Sequence, residues 1–448
     1  METTTHVTLQ PYYDTIVIGG GPAGSTYATV MAGADKSVLV LEAAKFPRFA
    51  VGEIVAPTAL WRAWHRMGIT QEQLDEKFIQ KYNGAWQSQD GTVFQFEQDV
   101  FPDDHRCRAF VYSFERAVYD EFLLNHARSK GATALEQAFV QDVLYDDNGR
   151  INGVRFQHNG LTHEINCALL VDASGRGNYL ANKLDLRKEL AELKSFACFG
   201  HYEGVKRNPG TAEGDVRLIF GKDMWFWWAP LKSPKASVGI VANREVFMDE
   251  YHQDPEAFYE KYVRTCDFIW DRIKDAKRIT GFKPLKRNSD GEVLFTNYHG
   301  YAKELIGEGW AIIGDAAAFV DPIFSAGLYV AQSSAVTLAD EVIAAMEEGD
   351  LSKERLMVYN DKYWADFVDV FSYIQRFATD YFEPKFVNFY LRLGNRFEKI
   401  RQLYIDTFVT YDPEAIKEYG ELVKKYFKDS DRPNEMSDLR LEYSEYMS

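Results

Sequence analysis

This sequence is short of cysteine, short of positive charge and without a long apolar run. Its four cysteines, Cys107, Cys167, Cys198 and Cys266, stand far apart and form no C-x-x-C or metal-ligand pair. Reduced, mostly buried thiols are therefore expected, with no bound metal. Acidic residues outnumber basic ones by 67 to 51, a formal charge of −16 at pH 7. That balance argues against a nucleic-acid or anionic-membrane partner, because phosphate recognition rests on clustered Lys and Arg. No run approaches the roughly 18 apolar residues of a membrane span, and no apolar segment follows a basic N-terminus. A soluble cytoplasmic protein is the expectation. The 448 residues give material for one large domain or two closely joined ones.

The N-terminal stretch YYDTIVIGGGPAGSTYATVMAGADKSVLVLEAAKFPR has the layout of a βαβ unit. Thr15 to Ile18 is a short β-branched strand, and Gly19, Gly21 and Gly24 supply a G-x-G-x-x-G turn. Pro22 opens an Ala-rich helix, and Ser37 to Leu41 forms a second strand that delivers Glu42 at its end. The glycines allow a tight turn and close approach to a pyrophosphate, the helix start favours its charge, and Glu42 can accept ribose hydroxyls. The turn by itself does not distinguish NAD from FAD.

Two later segments bear on that choice. ALLVDASGRGNYLA, from Ala168 to Ala181, is an apolar strand ending in Asp172-Ala-Ser-Gly175. GWAIIGDAAAFVDPIFSAGLYVAQSSAVTLADEV is another strand, a Gly314-Asp315 turn and a long helix, far downstream. The stretch between them, roughly Lys194 to Asn297, reads as β-rich at SFACFGHYEGV, DVRLIFG, MWFWWAPL and ASVGIVA. A helical segment near Asp254 to Ile273 and a further strand around GEVLFTN follow. Alternation in the tryptophan strand sends Trp225 and Trp227 to one face and Phe226 and Trp228 to the other, with Pro230 ending it. Beyond about residue 350 the chain is helical and aromatic. From Pro384, Phe386, Phe389, Tyr390, Leu393 and Phe397 recur at helical spacing, and Arg392, Arg396 and Lys399 make a basic patch beside Glu398.

The interrupted layout resembles the FAD-dependent monooxygenase superfamily, and more specific residues resemble its flavin-dependent halogenases of the pyrrole and phenol type. Trp225-Phe-Trp227-Trp-Ala-Pro230 is similar to the W-x-W-x-I-P signature, with Ala229 where Ile is usual. Phe319-Val-Asp-Pro322-Ile-Phe-Ser325-Ala-Gly327 matches F-x-x-P-x-x-S-x-G. Pro47-Arg48-Phe-Ala-Val51-Gly52-Glu53-Ile54 is similar to P-R-x-x-V-G-E-S, with Ile54 where Ser is usual. FIQKYNGAWQSQDG resembles the segment that carries the family's catalytic lysine, which falls on Lys81.

The resemblance implies an α/β fold: an FAD-binding Rossmann-like domain of the glutathione-reductase type, an inserted β-sheet substrate domain and a C-terminal helical region. The corresponding bounds are 1–193 with 298–350 for the FAD-binding domain (including part of the substrate region), 194–297 for the insertion and 351–428 for helices covering the active site. A polar tail, 429–448, completes the chain. FAD would touch Gly19, Gly21, Gly24, Glu42, Arg116, Gly314 and Asp315. Ser325, Ala326 and Gly327, at a helix start, would hold chloride or bromide. Trp225, Trp227, Pro230 and Pro322 would shape the substrate chamber, the tryptophans keeping substrate off the flavin.

The implied reaction is FADH2- and O2-dependent halogenation of a pyrrole or phenol, free or tethered to an acyl or peptidyl carrier protein, in natural-product biosynthesis. Lys81 would hold hypohalous acid by a hydrogen bond or as a haloamine. No second nucleotide fingerprint is present, so a separate NAD(P)H:flavin reductase is expected to supply the reduced flavin. An aromatic hydroxylase or ene-reductase of the same superfamily is the nearest alternative, against which Lys81 and the Trp225-to-Pro230 stretch speak, and a non-catalytic halogenase-like flavoprotein binding a pathway partner is a second, which Ile54 and Ala229 leave open. On the residues alone, Lys81 can equally be a solvated lysine, the tryptophans a packed core strand, the Ser325 turn a plain flavin edge, and the aromatic stripe core.

Overall fold

In the computed structural model the described residues are 9–55, 60–97, 110–190, 193–232, 234–280, 299–382, 384–396, 401–404 and four positions between 414 and 418. The proposed tail, Cys107, Lys399 and the strand expected around GEVLFTN lie outside them.

The first strand, Tyr12–Ile18, begins three residues before the expected Thr15, because Tyr13 already buries its ring. It is followed by the helix Pro22–Ala32 and the strand Val38–Glu42, all of whose residues are buried. A strand covered on both faces can be apolar throughout, which is why this unit was legible. Tyr12–Ile18 pairs in parallel with Val38–Glu42 on one side and with the long strand Leu161–Asp172 on the other. Val38–Glu42 pairs onward with Thr133–Glu136, and Leu161–Asp172 with Trp310–Ile312, again in parallel. The strands Phe139–Tyr145 and Ile151–His158 extend the far end of Leu161–Asp172 as an antiparallel meander, giving eight strands in all. The strand 310–312 joins this sheet although some 140 residues separate it from Leu161–Asp172, so chain distant in sequence closes one parallel sheet.

A second, seven-stranded sheet runs in the order 277–278, 195–203, 235–243, 224–230, 216–220, 83–87, 93–97. Its first five strands come from the inserted stretch. The last two, Asn83–Gln87 and Val93–Glu97, come from before residue 193 and join by a parallel pairing with Val216–Phe220. The helical segment expected near 254–273 is two helices, Pro255–Val263 and Asp267–Ile273, preceded by a third, Arg244–Gln253. Asp254, whose carboxylate accepts from Ala257 N at 2.9 Å, starts the second of them.

The tryptophan strand Met224–Pro230 separates two cores. Trp225 and Trp227 pack into the large core shared with the first sheet. Phe226 and Trp228 pack into a smaller one roofed by the three helices. Both faces of this strand are therefore buried, as the alternation predicts. Gly239 stands opposite Trp227 in the neighbouring strand, and a Cβ there would come within 2.1 Å of the Trp227 ring. The long helix Lys353–Asp380 and the shorter Pro384–Arg396 follow, with Phe377 tilted against Trp86 and edge-on to Phe386 and Tyr390.

Candidate active site

A cavity of about 650 Å³ opens where the two sheets meet. Its wall begins at the turn after the first strand. Gly19 has φ +102°, and a Cβ on Gly24 would stand 1.9 Å from the Gly19 carbonyl oxygen, so the turn closes only with glycine at both places. Gly19, Gly21 and Glu42 line the cavity, whereas Gly24 acts behind it by letting helix and turn touch. Glu42 accepts from Gly20 N and Ala44 N, each at 2.8 Å, which fixes its carboxylate at the turn.

Arg116 is the first residue of its helix and also lines the cavity. Its guanidinium makes a two-point contact with Asp120 at 2.7 and 3.0 Å and donates to Val51 O at 2.6 Å. Arg48 shares the same buried Asp120 at 3.1 Å. Arg48, named in the sequence only as part of a motif, and Arg176, not singled out there, join Arg116 in the wall. Asp315 lines the same cavity, and burial pushes its carboxyl up to about 6 while Arg176 and Arg116 oppose the shift. Gly314 sits behind it with φ +63° and a Cβ position 3.0 Å from Ala23 Cβ, packing the Gly-Asp turn against the first helix.

The Ser325 turn borders the same cavity. Asp321 accepts from Ile323 N at 3.0 Å and shapes a short turn, Pro322–Phe324, after which Ser325 takes a left-handed φ of +58°. The 22-residue helix Gly327–Glu348 starts immediately beyond. Pro322, Ser325 and Gly327 line the cavity, and Ala326 is buried behind them. Trp225 and Trp227 form the neighbouring wall; Pro230 ends its strand, buried, outside it.

The groups present fit a dinucleotide flavin. A glycine turn, a carboxylate at the second strand end and three guanidiniums share one wall. Tyr179 Oη and Trp225 Nε1, both on wall residues, are buried polar atoms without a hydrogen-bond partner among the described residues, a condition that a bound polar molecule relieves.

Lys81 is not in that wall. It closes the strand Ile79–Lys81, antiparallel to Val111–Ser113, and is 5% exposed rather than solvated. Its ammonium donates to Val55 O at 2.6 Å, one residue beyond the cavity-lining residues 50–54. Burial drives its pKa down to about 7, and nearby Asp215 acts against that shift. The Gly210–Gly214 turn brings Asp215 there: a Cβ on Gly214 would meet Gln80 O at 2.0 Å.

Two features escaped sequence reasoning. Glu53 and His201, 2% and 3% exposed, meet at 2.5 Å between the cavity segment and the second sheet. A histidine at the inward register of an apolar strand, two after Phe199, was the available signal. Asp321 also accepts from Tyr381 Oη at 3.0 Å, and burial lifts its carboxyl to about 7. Of the basic patch, exposed Arg392 is paired with Asp90. Cys167, Cys198 and Cys266 are free and buried, and burial raises each thiol.

Comparison with known proteins decides the family. The family model described as tryptophan halogenase matches residues 89–383. The chain belongs to this flavin-dependent halogenase family. It is 29% identical over 386 residues to a 1H-pyrrole-2-carbonyl-[peptidyl-carrier protein] chlorinase of Pseudomonas fluorescens, covering 80% of this chain and 83% of that one. A flavin-dependent halogenase of Armillaria mellea is 30% identical over 381 residues, covering 79% and 69%. A solved structure, the myxobacterial chondrochloren halogenase, superposes with TM-score 0.71 at 30% identity, covering 82% and 83%. The halogenase reading thereby stands over the hydroxylase, ene-reductase and non-catalytic alternatives. The protein is an enzyme with an FAD-dependent halogenase fold, using FAD and halide. Among the described residues no helix is long and apolar enough to cross a membrane, and no cluster suits a metal ion.

Proposed function

We propose that this halogenase chlorinates or brominates a pyrrole ring carried as a thioester on a peptidyl carrier protein, with Lys81 as the catalytic group. The carrier-bound pyrrole rests on the names of two relatives, the chlorinase above and a brominase of Pseudoalteromonas luteoviolacea that is 27% identical over 341 residues. A phenol is the other ring that the sequence motifs accommodate.

The net reaction joins ArH, halide, a proton, dioxygen and FADH2 to give ArX, FAD and two waters. Bound FADH2 supplies the activation of dioxygen that oxidises the halide to hypohalous acid. Every other task falls to the chain. Gly19, Gly21, Glu42, Arg116 and Asp315 bind and orient the dinucleotide from the cavity wall, and Gly24 and Gly314 close the two turns behind it. Ala326 and Gly327 present backbone N–H groups at the start of a long helix, where an anion is favoured, while Ser325, whose own N–H is donated to Pro322 O at 3.0 Å, shapes the turn that leads into it. Trp225, Trp227 and Pro322 keep the aromatic substrate from the flavin and exclude water, and Pro230, outside the cavity, only ends the tryptophan strand. Lys81 receives the hypohalous acid beyond the cavity wall and directs it to the ring.

The observation that carries Lys81 is its burial with a pKa near 7. An ammonium balanced at neutral pH can donate a hydrogen bond in one state and, as an amine, accept halogen in the other. An NAD(P)H:flavin reductase delivers the FADH2, and the domain bounds given above (1–193 with 298–350, 194–297, 351–428) follow the same division of labour.

The test is mass spectrometry of a reaction with FAD, a flavin reductase, NADH, oxygen and halide, offering pyrrolyl carrier thioester beside free pyrroles and phenols. A halogen isotope pattern on the thioester, lost in Lys81→Ala while NADH oxidation continues, is expected. A hydroxylated product, or unchanged halogenation in Lys81→Ala, would overturn the assignment.

A further inference from the structure

Residues Arg48 to Val55 form neither helix nor strand, yet polar contacts fix them along their length. Arg48 pairs with Asp120, Val51 O accepts from Arg116, and Glu53 O accepts from Phe114 N at 2.8 Å. Val55 O takes the Lys81 ammonium. Between those two ends lies the buried Glu53–His201 pair. Its partners come from different parts of the fold. Glu53 belongs to the segment that borders the cavity, and His201 to the strand Ser195–Glu203 of the second sheet. His201 shares a face with Phe199, whose ring lies 5.8 Å from that of Trp227, and both His201 and Phe199 contact the Phe49 ring.

We propose that Glu53 and His201 are positioning residues for Lys81: their buried contact places the Val55 carbonyl, and so the ammonium it receives, relative to the tryptophan wall. The contacts through Phe114 and Lys81 belong to the small sheet formed by Ile79–Lys81 and Val111–Ser113. They tie the segment to that sheet but not to the wall. The Glu53–His201 contact is the hydrogen bond that ties it across to the tryptophan side, beside the ring contacts of Phe49 with Phe199 and His201. Among the described residues, the Lys81 ammonium has its hydrogen bond at Val55 O alone, so a shift of that carbonyl moves the lysine. A displacement of about 1 Å at a reacting group can cost about a hundredfold in rate. The inference rests on the reading of Lys81 as the catalytic group.

The test compares wild type with His201→Leu, which removes the contact, His201→Gln, which keeps an N–H donor, and Glu53→Gln, which keeps the shape and removes the charge. Acetylation of Lys81 by acetic anhydride, followed by mass spectrometry of the full-length protein, reports how firmly the amine is held without any need for turnover. His201→Leu should be labelled at Lys81 roughly tenfold faster than wild type, and His201→Gln within about twofold of it. In reductase-coupled turnover, His201→Leu should also release more hypohalous acid to a diketone trap per dioxygen consumed. Equal Lys81 labelling in wild type and His201→Leu, or equal impairment in His201→Leu and His201→Gln, would overturn the proposal. If His201→Leu does not fold, Glu53→Gln decides: faster Lys81 labelling supports the positioning role, and wild-type labelling refutes it. Halogenation that persists in Lys81→Ala would instead remove the catalytic role of Lys81, an outcome the labelling does not depend on.

Discussion

Replacing Lys81 by methionine should make this protein more stable at pH 6 while ending halogenation. The side chains have similar length, but methionine carries no charge to desolvate. The lysine titrates at about 7 in the fold against an ordinary 10.5. At about 1.36 kcal/mol per pKa unit, burial of the ammonium costs a ceiling of about 5 kcal/mol below pH 7. Against this stands the hydrogen bond to Val55 O, worth about 1.5–3 kcal/mol to a charged donor. A net gain of about 2–3.5 kcal/mol at pH 6 follows for Lys81→Met. Because the folded-state pKa is depressed, the unfolded chain binds more protons between pH 7 and 10.5. Wild-type stability therefore rises with pH across that window. By pH 9 the wild type has regained about 2.7 kcal/mol, and the advantage of the variant should be gone. Melting temperatures of both proteins at pH 6, 7.5 and 9 read this directly. A difference that stays flat across those values would refute a buried, neutral-pH lysine and with it the physical case for its chemistry.

Two further perturbations test the walls of the site. Gly239→Ala would put a methyl group 2.1 Å from the Trp227 ring, so the indole must move toward the cavity; a cost of about 1–3 kcal/mol and weaker FAD binding by fluorescence titration are expected, and unchanged binding would show that the ring does not bound the flavin. Asp321→Asn mimics the protonated form of a carboxyl that burial raises from 3.8 to about 7. The wild type loses stability as pH rises from about 4 to 7, so the variant should gain on it across that window, up to a ceiling of about 4 kcal/mol, and hold the difference above pH 7. Thermal melts from pH 4.5 to 8 check this, and a variant less stable at every pH would contradict it.

Elements whose signals are local were readable in the chain. The βαβ unit announces itself because its strands are buried on both faces and its turn tolerates only glycine, so composition and conformation coincide at Gly19 and Gly24. The tryptophan strand is readable for a related reason: alternation assigns each ring a face whatever the sheet's neighbours are. What the chain did not display is pairing at a distance. Asn83–Gln87 reaches Val216–Phe220 across some 130 residues, and nothing in either strand names the other.

The same distinction separates the site residues that were foreseen from those that were not. Glycines 19, 21 and 24 and Ser325 act through the backbone of their own turn, and Glu42 through a carboxylate that its strand end delivers to Gly20 N, so spacing betrays them. Glu53, His201 and Asp321 act through partners brought in by the fold, and their meaning is a pairwise one. Glu53 lay inside a recognised motif, but its role depends on an imidazole 148 residues away. Lys81 stands between these cases. Its position follows from a segment resemblance, whereas its lowered pKa follows from burial, which neighbouring residues in the sequence do not dictate. A polar, lysine-bearing strand of three residues gives no apolar pattern of its own. It is buried because a glycine turn at 210–214 and the segment ending at Val55 close over it. For Lys81, then, the proposed role is legible in a segment resemblance, whereas the burial that lowers its pKa is supplied by segments far from it in the chain.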